Sequence, residues 1–223
     1  MISTDNWIDD LPAAVQRAIS ERMRTIRLAR NEPLKAAGDA PAAIFQVEAG
    51  YLKLIRDLPD GRSQLILLYG PGGAFGETAV VVRRAVHDHA TVALVPSRVR
   101  RLAVADFWDL YARHPEISDA LCRKFARLVA MQLDRHDLTG ALRLRDRIVV
   151  MLGALAQQLG ARDANGAVTF TLPISHADIA HHVEATRQAV QREMSALAAA
   201  GLVRRAGHRW FLPKPDLLRW REA

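Results

Sequence analysis

The sequence predicts an α+β protein with a jelly-roll-like β domain first, a long helix next, and a small helical domain with a β hairpin last. Short runs of alternating apolar and polar residues, separated by turn residues, fill positions 26–101. The run from Pro115 to Leu138 carries one apolar seam, and two capped amphipathic segments follow Ile174. The expected parts are 1–114, 115–140 and 141–223.

The composition is that of a folded protein with a preference for polyanions. The chain has 223 residues, of which 50% are hydrophobic, and a formal net charge of +7. From Leu144 onwards it carries 11 basic and 7 acidic residues, so positive charge is densest in the last part. Cys122 is the only cysteine, which excludes disulfide frameworks within the chain, thiolate zinc sites and a protein-held iron–sulfur cluster.

Neither secretion nor membrane insertion is expected. No uninterrupted apolar run approaches the roughly 18 to 20 residues of a membrane-spanning helix. The N-terminus carries Asp5, Asp9 and Asp10, where a secretory signal would be positively charged. We therefore expect a cytoplasmic protein with no membrane partner.

Residues 1–24 are expected to be helical, and the β domain follows. Pro12 suits a helix start, and the apolar residues at helical spacing are Trp7, Ile8, Leu11, Val15 and Ile19. Strands are predicted at Ala43–Val47, Tyr51–Ile55, Gln64–Tyr69, Thr91–Leu94 and Val99–Ala103. A small antiparallel barrel or jelly roll of this kind can enclose a ligand or serve only as a scaffold.

The long helix over Pro115–Leu138 has a seam that suits either a core edge or a second copy of the chain. The seam residues are Ile117, Leu121, Phe125, Leu128 and Met131. After a hinge at Thr139-Gly140, a helix over 144–159 supplies apolar residues for the core of the last domain. A short strand at 168–172 then leads into the amphipathic pair.

Two helices joined by a tight turn are predicted between Ile174 and Gly201. Ser175 and Thr186 are the N-cap residues, and Val190, Met194 and Leu197 form the apolar face of the second helix, 186–200. In a helix-turn-helix the second helix lies in the DNA major groove. Its candidate readers are Arg187, Gln188, Gln191 and Arg192. Any small helical domain could show the same pattern.

Two short strands around Ala206-Gly207 make the DNA-binding prediction more specific. They form a wing that would lie beside the phosphate backbone, with Arg204, Arg205 and Arg209 as its cations. A helix-turn-helix followed by a basic wing is more specific than either part. Ser175 and Thr186, at the two helix starts, are also counted as DNA-binding residues.

Five fragments of the β domain, in this order, resemble the β-roll that binds cyclic nucleotides. They are Pro33–Asp39, Gln46–Leu54, Asp60–Arg62, Gly70–Gly72 and Phe75–Glu77. With the C-terminal winged helix-turn-helix, they make the chain resemble the CRP/FNR family of bacterial transcription regulators over roughly residues 20–215. The resemblance implies a β-roll sensor domain, a homodimer, double-stranded DNA with an inverted-repeat operator as partner, and contact with RNA polymerase. The implied dimer interface is Leu121, Phe125, Leu128, Val129 and Gln132.

The resemblance also implies which bases are read. In close relatives the recognition helix opens Arg-Glu-Thr-Val-x-Arg, whereas here Arg187-Gln188-Ala189-Val190-Gln191-Arg192 stands. Each Arg can bind a guanine, while Gln188 in place of Glu favours adenine. Glu184 stands where relatives often have a turn Gly.

An unidentified small-molecule effector is implied for the β-roll. Its pocket would contain Phe75, Gly76, Glu77, Thr78, Asp88, His89, Ala90, Gln132 and Leu133. In nucleotide-binding relatives the Glu accepts a hydrogen bond from the ribose, and an Arg of a later Arg-Ser-Ala meets the cyclic phosphate. Asp88 or His89 stands at that Arg position, with Arg83 or Arg84 as the alternative phosphate contact. A carboxylate facing a phosphodiester predicts that cyclic AMP is not the effector.

Three other functions fit parts of the sequence. His87 and His89 on a predicted strand, with His136, could hold a metal or haem iron, although loop histidines are usually solvated and no cofactor is expected. A jelly-roll enzyme would need more His and Glu ligands, and no catalytic motif stands out, so we do not expect an enzyme. A regulator of the same family that needs no ligand is the third alternative.

Overall fold

A computed structural model of the chain describes residues 2–57 and 63–215, without the side chains of 63 and 134–141. The Asp60–Arg62 fragment and the side chain of His136 therefore lie outside the described residues. The chain divides into two compact units, one over Ile2–Leu133 and one from Asp134 onwards. The first unit includes most of the long helix.

In the described part of the chain, nine strands build the first unit. They are β1 (Ile2–Ser3), β2 (Arg24–Leu28), β3 (Pro33–Lys35), β4 (Ala43–Ala49), β5 (Leu52–Asp57), β6 (Ser63–Tyr69), β7 (Ala74–Phe75), β8 (Ala90–Ala93) and β9 (Ser97–Ala103). One sheet has the order β1-β6-β5-β8-β3 and the other β2-β9-β4-β7. Among the described pairings only β1 with β6 is parallel. The expected β-roll is thus confirmed, with each predicted strand displaced by no more than two residues at either end.

Aromatic stacking holds the β-roll interior together. The Phe75 ring centroid lies 4.2 Å from that of Tyr69 and 5.4 Å from that of Phe45. Val47, Leu52 and other apolar residues from both sheets pack around these rings and are buried. The pleat of a strand turns successive side chains to opposite faces, and this alternation is the pattern that predicts the strands from the sequence.

The described helices that belong to or begin in this unit are α1 (Ala13–Arg22), α2 (Glu77–Val81), α3 (Val104–Arg113) and α4 (Glu116–Ala141). The expected helix over 1–24 is wrong in its first half. Residues 2–3 pair as a strand and the helix begins only after Pro12, whose ring and missing N–H suit a helix start but not its interior. Trp7, Ile8 and Leu11 are nevertheless buried, so their spacing indicated burial and not helix.

The second unit holds the remaining elements. They are α5 (Leu144–Leu159), β10 (Ala161–Arg162), β11 (Val168–Thr171), α6 (His176–His182), α7 (Arg187–Ala199), β12 (Arg204–Ala206) and β13 (Arg209–Leu212). The sheet order is β10-β11-β13-β12. Ile148, Leu152 and Leu197 are fully buried, as is Trp210, whose Nε1 donates to the Leu172 carbonyl at 2.9 Å. Helix α4 and all other described helices are too short or too polar to cross a bilayer.

Candidate nucleic-acid interface and effector pocket

The helix pair α6–α7 is fixed by its own capping residues. Ser175 Oγ accepts from the Asp178 amide at 3.1 Å, and Asp178 Oδ2 accepts from the Ser175 amide at 2.7 Å, so α6 opens with a capping box. Thr186 Oγ1 accepts from the Ala189 amide at 3.2 Å and caps α7. Both hydroxyls therefore organise helix starts. Glu184 has φ 52° between the helices, the left-handed conformation that a turn Gly would supply.

Helix α7 presents one exposed face on which most side chains are polar. Arg187, Gln188, Gln191 and Arg192 are all exposed, whereas Val190, Met194 and Leu197 are buried on the opposite side. Gln188, Gln191 and Arg192 also border one open depression on the unit's surface. The four predicted base-reading residues therefore share one accessible face.

The wing separates its three arginines. In the β12–β13 register Arg204 lies opposite Phe211, and its guanidinium carbon is 4.3 Å from the Phe211 ring centroid. Arg209 is exposed on the neighbouring strand. Arg205 differs, because its Nη2 donates to the Ile174 carbonyl at 2.6 Å and its Nε to the Gly207 carbonyl at 2.9 Å. The Arg205 side chain is thus exposed and at the same time bonded to two backbone carbonyls.

A cavity of about 260 Å³ lies in the β-roll, between the α2 corner and α4. Six of the predicted pocket residues line it: Phe75, Gly76, Glu77, Thr78, Asp88 and His89. The other three predicted residues do not line the cavity. They are Ala90, and Gln132 and Leu133, which are exposed on α4. Lys35, Tyr69 and Lys124 line the cavity and were missed, because no local pattern marks a Lys or Tyr as pocket-facing.

Glu77 is bound within the protein by a lysine of the long helix. Lys124 Nζ lies 2.7 Å from Glu77 Oε1, and the two side chains are only 2% and 3% exposed. The same ammonium donates to the Ala74 carbonyl. Glu77 Oε2 is buried without a hydrogen-bond partner in the described residues. Burial, and then the negative charge of Glu77, raise the pKa of Tyr69 well above its usual range.

The other charges of the pocket are also engaged. Arg84 forms an ion pair with Asp88 at the rim, while the guanidinium of Arg83 lies 5.7 Å from the Trp108 ring centroid. Lys35 Nζ donates to the His89 carbonyl at 2.7 Å, and burial lowers the pKa of Lys35 to about 8. A phosphate entering at Asp88 would therefore have to separate an existing ion pair.

The histidine pair does not form a metal site in the described residues. His87 and His89 lie in the loop before β8 and not on a strand, which corrects the sequence prediction. His87 is buried, and the His89 ring nitrogen lies 3.1 Å from a guanidinium nitrogen of Arg56. Burial is the first cause that lowers the pKa of both imidazoles. The described side chains, which leave out those of 63 and 134–141, contain no group of three potential metal ligands.

Helix α4 has two apolar faces where the sequence predicts one. Leu121 is 2% exposed and packs in the unit's own core, Phe125 packs against that core, and Leu128 lines the cavity. Leu121 thus cannot contribute to a dimer interface. Val129 and Leu133 are 59% and 62% exposed, and they share a second stripe with Cys122 and Ala126 at steps of three and four.

Both units of the chain are similar to domains of known proteins. Residues 25–114 match the model of the cyclic nucleotide-binding domain, and residues 142–220 match that of the Crp-like helix-turn-helix domain. The chain is 26% identical to the CRP-like cAMP-activated global transcriptional regulator of Mycobacterium tuberculosis over 198 residues, which is 88% of this chain and 86% of the relative. It is 29% identical to the transcriptional regulator LdrP of Thermus thermophilus over 187 residues, 83% and 90% of the two chains.

Solved structures agree with that comparison. The chain is similar to FixK2 from Bradyrhizobium japonicum with a TM-score of 0.75 and 21% identity, covering 88% of this chain and 95% of FixK2. It is similar to TTHB099, a transcriptional regulator from Thermus thermophilus, with a TM-score of 0.70 and 27% identity, covering 86% and 94% of the two chains.

Proposed function

Because this chain belongs to the CRP/FNR family of transcription regulators, we propose that it is a homodimer that reads an inverted-repeat operator with two copies of α7. The observation that carries the proposal is the exposed polar face of α7, opposite a fully buried apolar face. Two-fold symmetry places the half-sites about one helical turn apart. The regulator acts in the cytoplasm, where RNA polymerase is its further partner.

Base recognition rests on three side chains of α7. Arg187 and Arg192 each offer two donors to the O6 and N7 of a guanine, and the amide of Gln188 pairs with the N6 and N7 of adenine. Selection of binding sites from random double-stranded DNA tests this assignment. We expect a guanine opposite Arg192, and a changed consensus at one position per half-site for Gln188→Glu, since a carboxylate only accepts and prefers the amino group of cytosine. An identical consensus would remove Gln188 from the base-reading set.

A second copy of the chain is proposed to cover the outer stripe of α4. Val129 and Leu133 together expose two large apolar side chains on one stripe, next to the small residues Cys122 and Ala126. Small residues let two helix backbones approach, and the larger ones interlock beyond them. Gln132 borders this stripe and is retained as an interface residue, while Leu121 is not.

The β-roll cavity is proposed to take an effector other than cyclic AMP. A relative of this chain is named as activated by cAMP, and for that reason cyclic AMP is the ligand to test. Here the acid that would accept from a ribose hydroxyl is engaged by Lys124, and the rim arginine is engaged by Asp88. Calorimetric titration of the purified dimer with cyclic AMP is expected to show no binding at micromolar concentrations. Micromolar affinity would instead point to Arg83 or Arg84 as the phosphate contact.

A regulator of the same family that needs no effector is the second candidate. The Glu77–Lys124 ion pair favours it, because the protein itself supplies the cation that neutralises the charge of the pocket acid. Protein purified without added ligand would then bind its operator fully, and no small-molecule extract would change the affinity. Metal analysis of the same preparation tests the haem or metal alternative.

A further inference from the structure

The wing arginines lie on two different faces of the hairpin. Cross-strand partners in a sheet point to the same side, and successive residues of a strand alternate. Arg204 pairs with Phe211 and Ala206 with Arg209, so Arg204 and Arg209 share one face. Arg205 pairs with Trp210, which is fully buried. Arg205 therefore lies on the same face of the hairpin as the buried Trp210, although its own side chain is exposed.

The contacts of Arg205 run to the segment that enters α6. Its Nη2 donates at 2.6 Å to the carbonyl of Ile174, the residue directly before the Ser175 cap. Its Nε donates at 2.9 Å to the carbonyl of Gly207 in the hairpin turn, and its guanidinium carbon lies 4.5 Å from the Trp210 ring centroid. One side chain thus joins the hairpin turn, the wing strand and the start of the helix pair.

Two further bonds hold the same entry segment to the wing. The Leu172 amide donates to the His208 carbonyl, and the Leu172 carbonyl accepts from Trp210 Nε1, both at 2.9 Å. Leu172 and Ile174 are both buried. Of the three hydrogen bonds between the wing and this segment, the bond from Arg205 to Ile174 lies nearest to α6 in the chain. Its donor is charged, so it is stronger than the two bonds of Leu172, whose donors are neutral.

We propose that Arg205 is a positioning residue, which fixes the wing against the start of α6 and does not contact DNA phosphate. The inference rests on the proposed DNA-binding function, since it concerns the spacing between the wing and α7. Arg204 and Arg209 on the opposite face make the wing's phosphate contacts. A planar guanidinium is needed to donate to both carbonyls while it stacks on Trp210, and the ammonium of a lysine can do neither.

The first test measures DNA affinity as a function of salt for the full-length protein and the operator selected from random DNA. Arg205→Lys and Arg205→Met are both expected to weaken binding about tenfold, the effect of one lost charge-assisted hydrogen bond, with an unchanged salt slope. Arg204→Ala is the matched control, and it should reduce the slope by about 1 because one phosphate contact disappears. Parental affinity in Arg205→Lys, or a slope reduced by about 1 in Arg205→Met, would overturn the inference.

The second test needs no DNA and separates this inference from the proposed function. Hydrogen exchange of the amides in the first turn of α6 and in the hairpin turn is expected to quicken in Arg205→Lys and Arg205→Met, at a temperature where both remain folded. Arg204→Ala should leave these amides unchanged. If exchange in both Arg205 variants matches the parent, the positioning role fails. If exchange responds but the parent does not bind DNA, only the proposed function fails.

Discussion

The ion pair between Glu77 and Lys124 determines which charges the pocket can offer to a ligand. Both side chains are nearly inaccessible, and Glu77 Oε2 has no partner among the described residues. A buried charge that loses its partner costs far more than an exposed one, whereas exchange of the whole pair for apolar residues is often neutral. The pair therefore constrains the pocket strongly without being a large net source of stability.

Removal of one partner is expected to be more harmful than removal of both. Lys124→Met alone should lower the free energy of unfolding by about 3–5 kcal/mol, because Glu77 is left as an unpaired buried charge, and Glu77→Leu/Lys124→Met should return to within about 1 kcal/mol of the parent. Urea denaturation measures both values. Arg123→Met is the matched control on the same helix, since the exposed Arg123–Asp119 pair is worth less than about 1 kcal/mol. Additive losses in the double variant would contradict this interpretation.

At the scale of elements, the turn between β4 and β5 depends on close backbone approach. Gly50 has φ 87°, and a Cβ there would lie 2.8 Å from the Pro96 carbonyl oxygen. Gly38 has the similar φ of 91° but nothing within 4 Å of a Cβ. The two glycines share their backbone conformation and differ only in the space around it.

Alanine substitutions separate strain from steric overlap at these glycines. Gly38→Ala is expected to cost about 1–2 kcal/mol from the left-handed conformation alone. Gly50→Ala adds a collision with the Pro96–Ser97 backbone and should cost about 1–3 kcal/mol more. The thermal midpoints of the two variants measure the difference. Equal midpoints would show that the β4–β5 turn can move away from Pro96.

Elements with a local signal were predictable from the sequence, including the short wing strands on either side of the Gly207 turn, and elements that depend on distant partners were not. The five strands with alternation and the helices α5, α6 and α7 were found, because their signals lie within one stretch of chain. The strands β1, β3 and β7 have two or three residues each and exist only through their pairing. Lys124 was missed for the same reason, since a lysine on an amphipathic helix indicates solvent until its partner Glu77 is known.

At the scale of the whole molecule, α4 lines the pocket with one face and presents the proposed partner contact on another. Its inner face packs on the core of the first unit, and its outer stripe is exposed in the single chain. The seam predicted from the sequence includes Leu121, and a charge there would unfold the unit and not merely separate a dimer. The outer stripe is the place where assembly can be tested without loss of folding.

Charges on the outer stripe are expected to give folded monomers. Val129→Asp/Leu133→Asp places two charges per copy in the proposed interface, and no partner there can neutralise them. Light scattering should then give half the parental molar mass, with unchanged circular dichroism. Met131→Asp is the control, because Met131 is also apolar and exposed but points away from the stripe. An unchanged mass for the double variant would place the dimer contact elsewhere.

The buried pair of Glu77 and Lys124 also limits how this sensor can evolve. A lineage that replaces one partner first passes through a protein that has lost about 3–5 kcal/mol, a large part of the roughly 5–15 kcal/mol by which domains are stable. Such intermediates are removed by selection unless another mutation has already stabilised the fold. At the proposed effector cavity, a change at the Glu77–Lys124 pair therefore requires coupled substitutions on α2 and α4, whereas exposed lining residues such as Arg84 and Asp88 can be replaced one at a time.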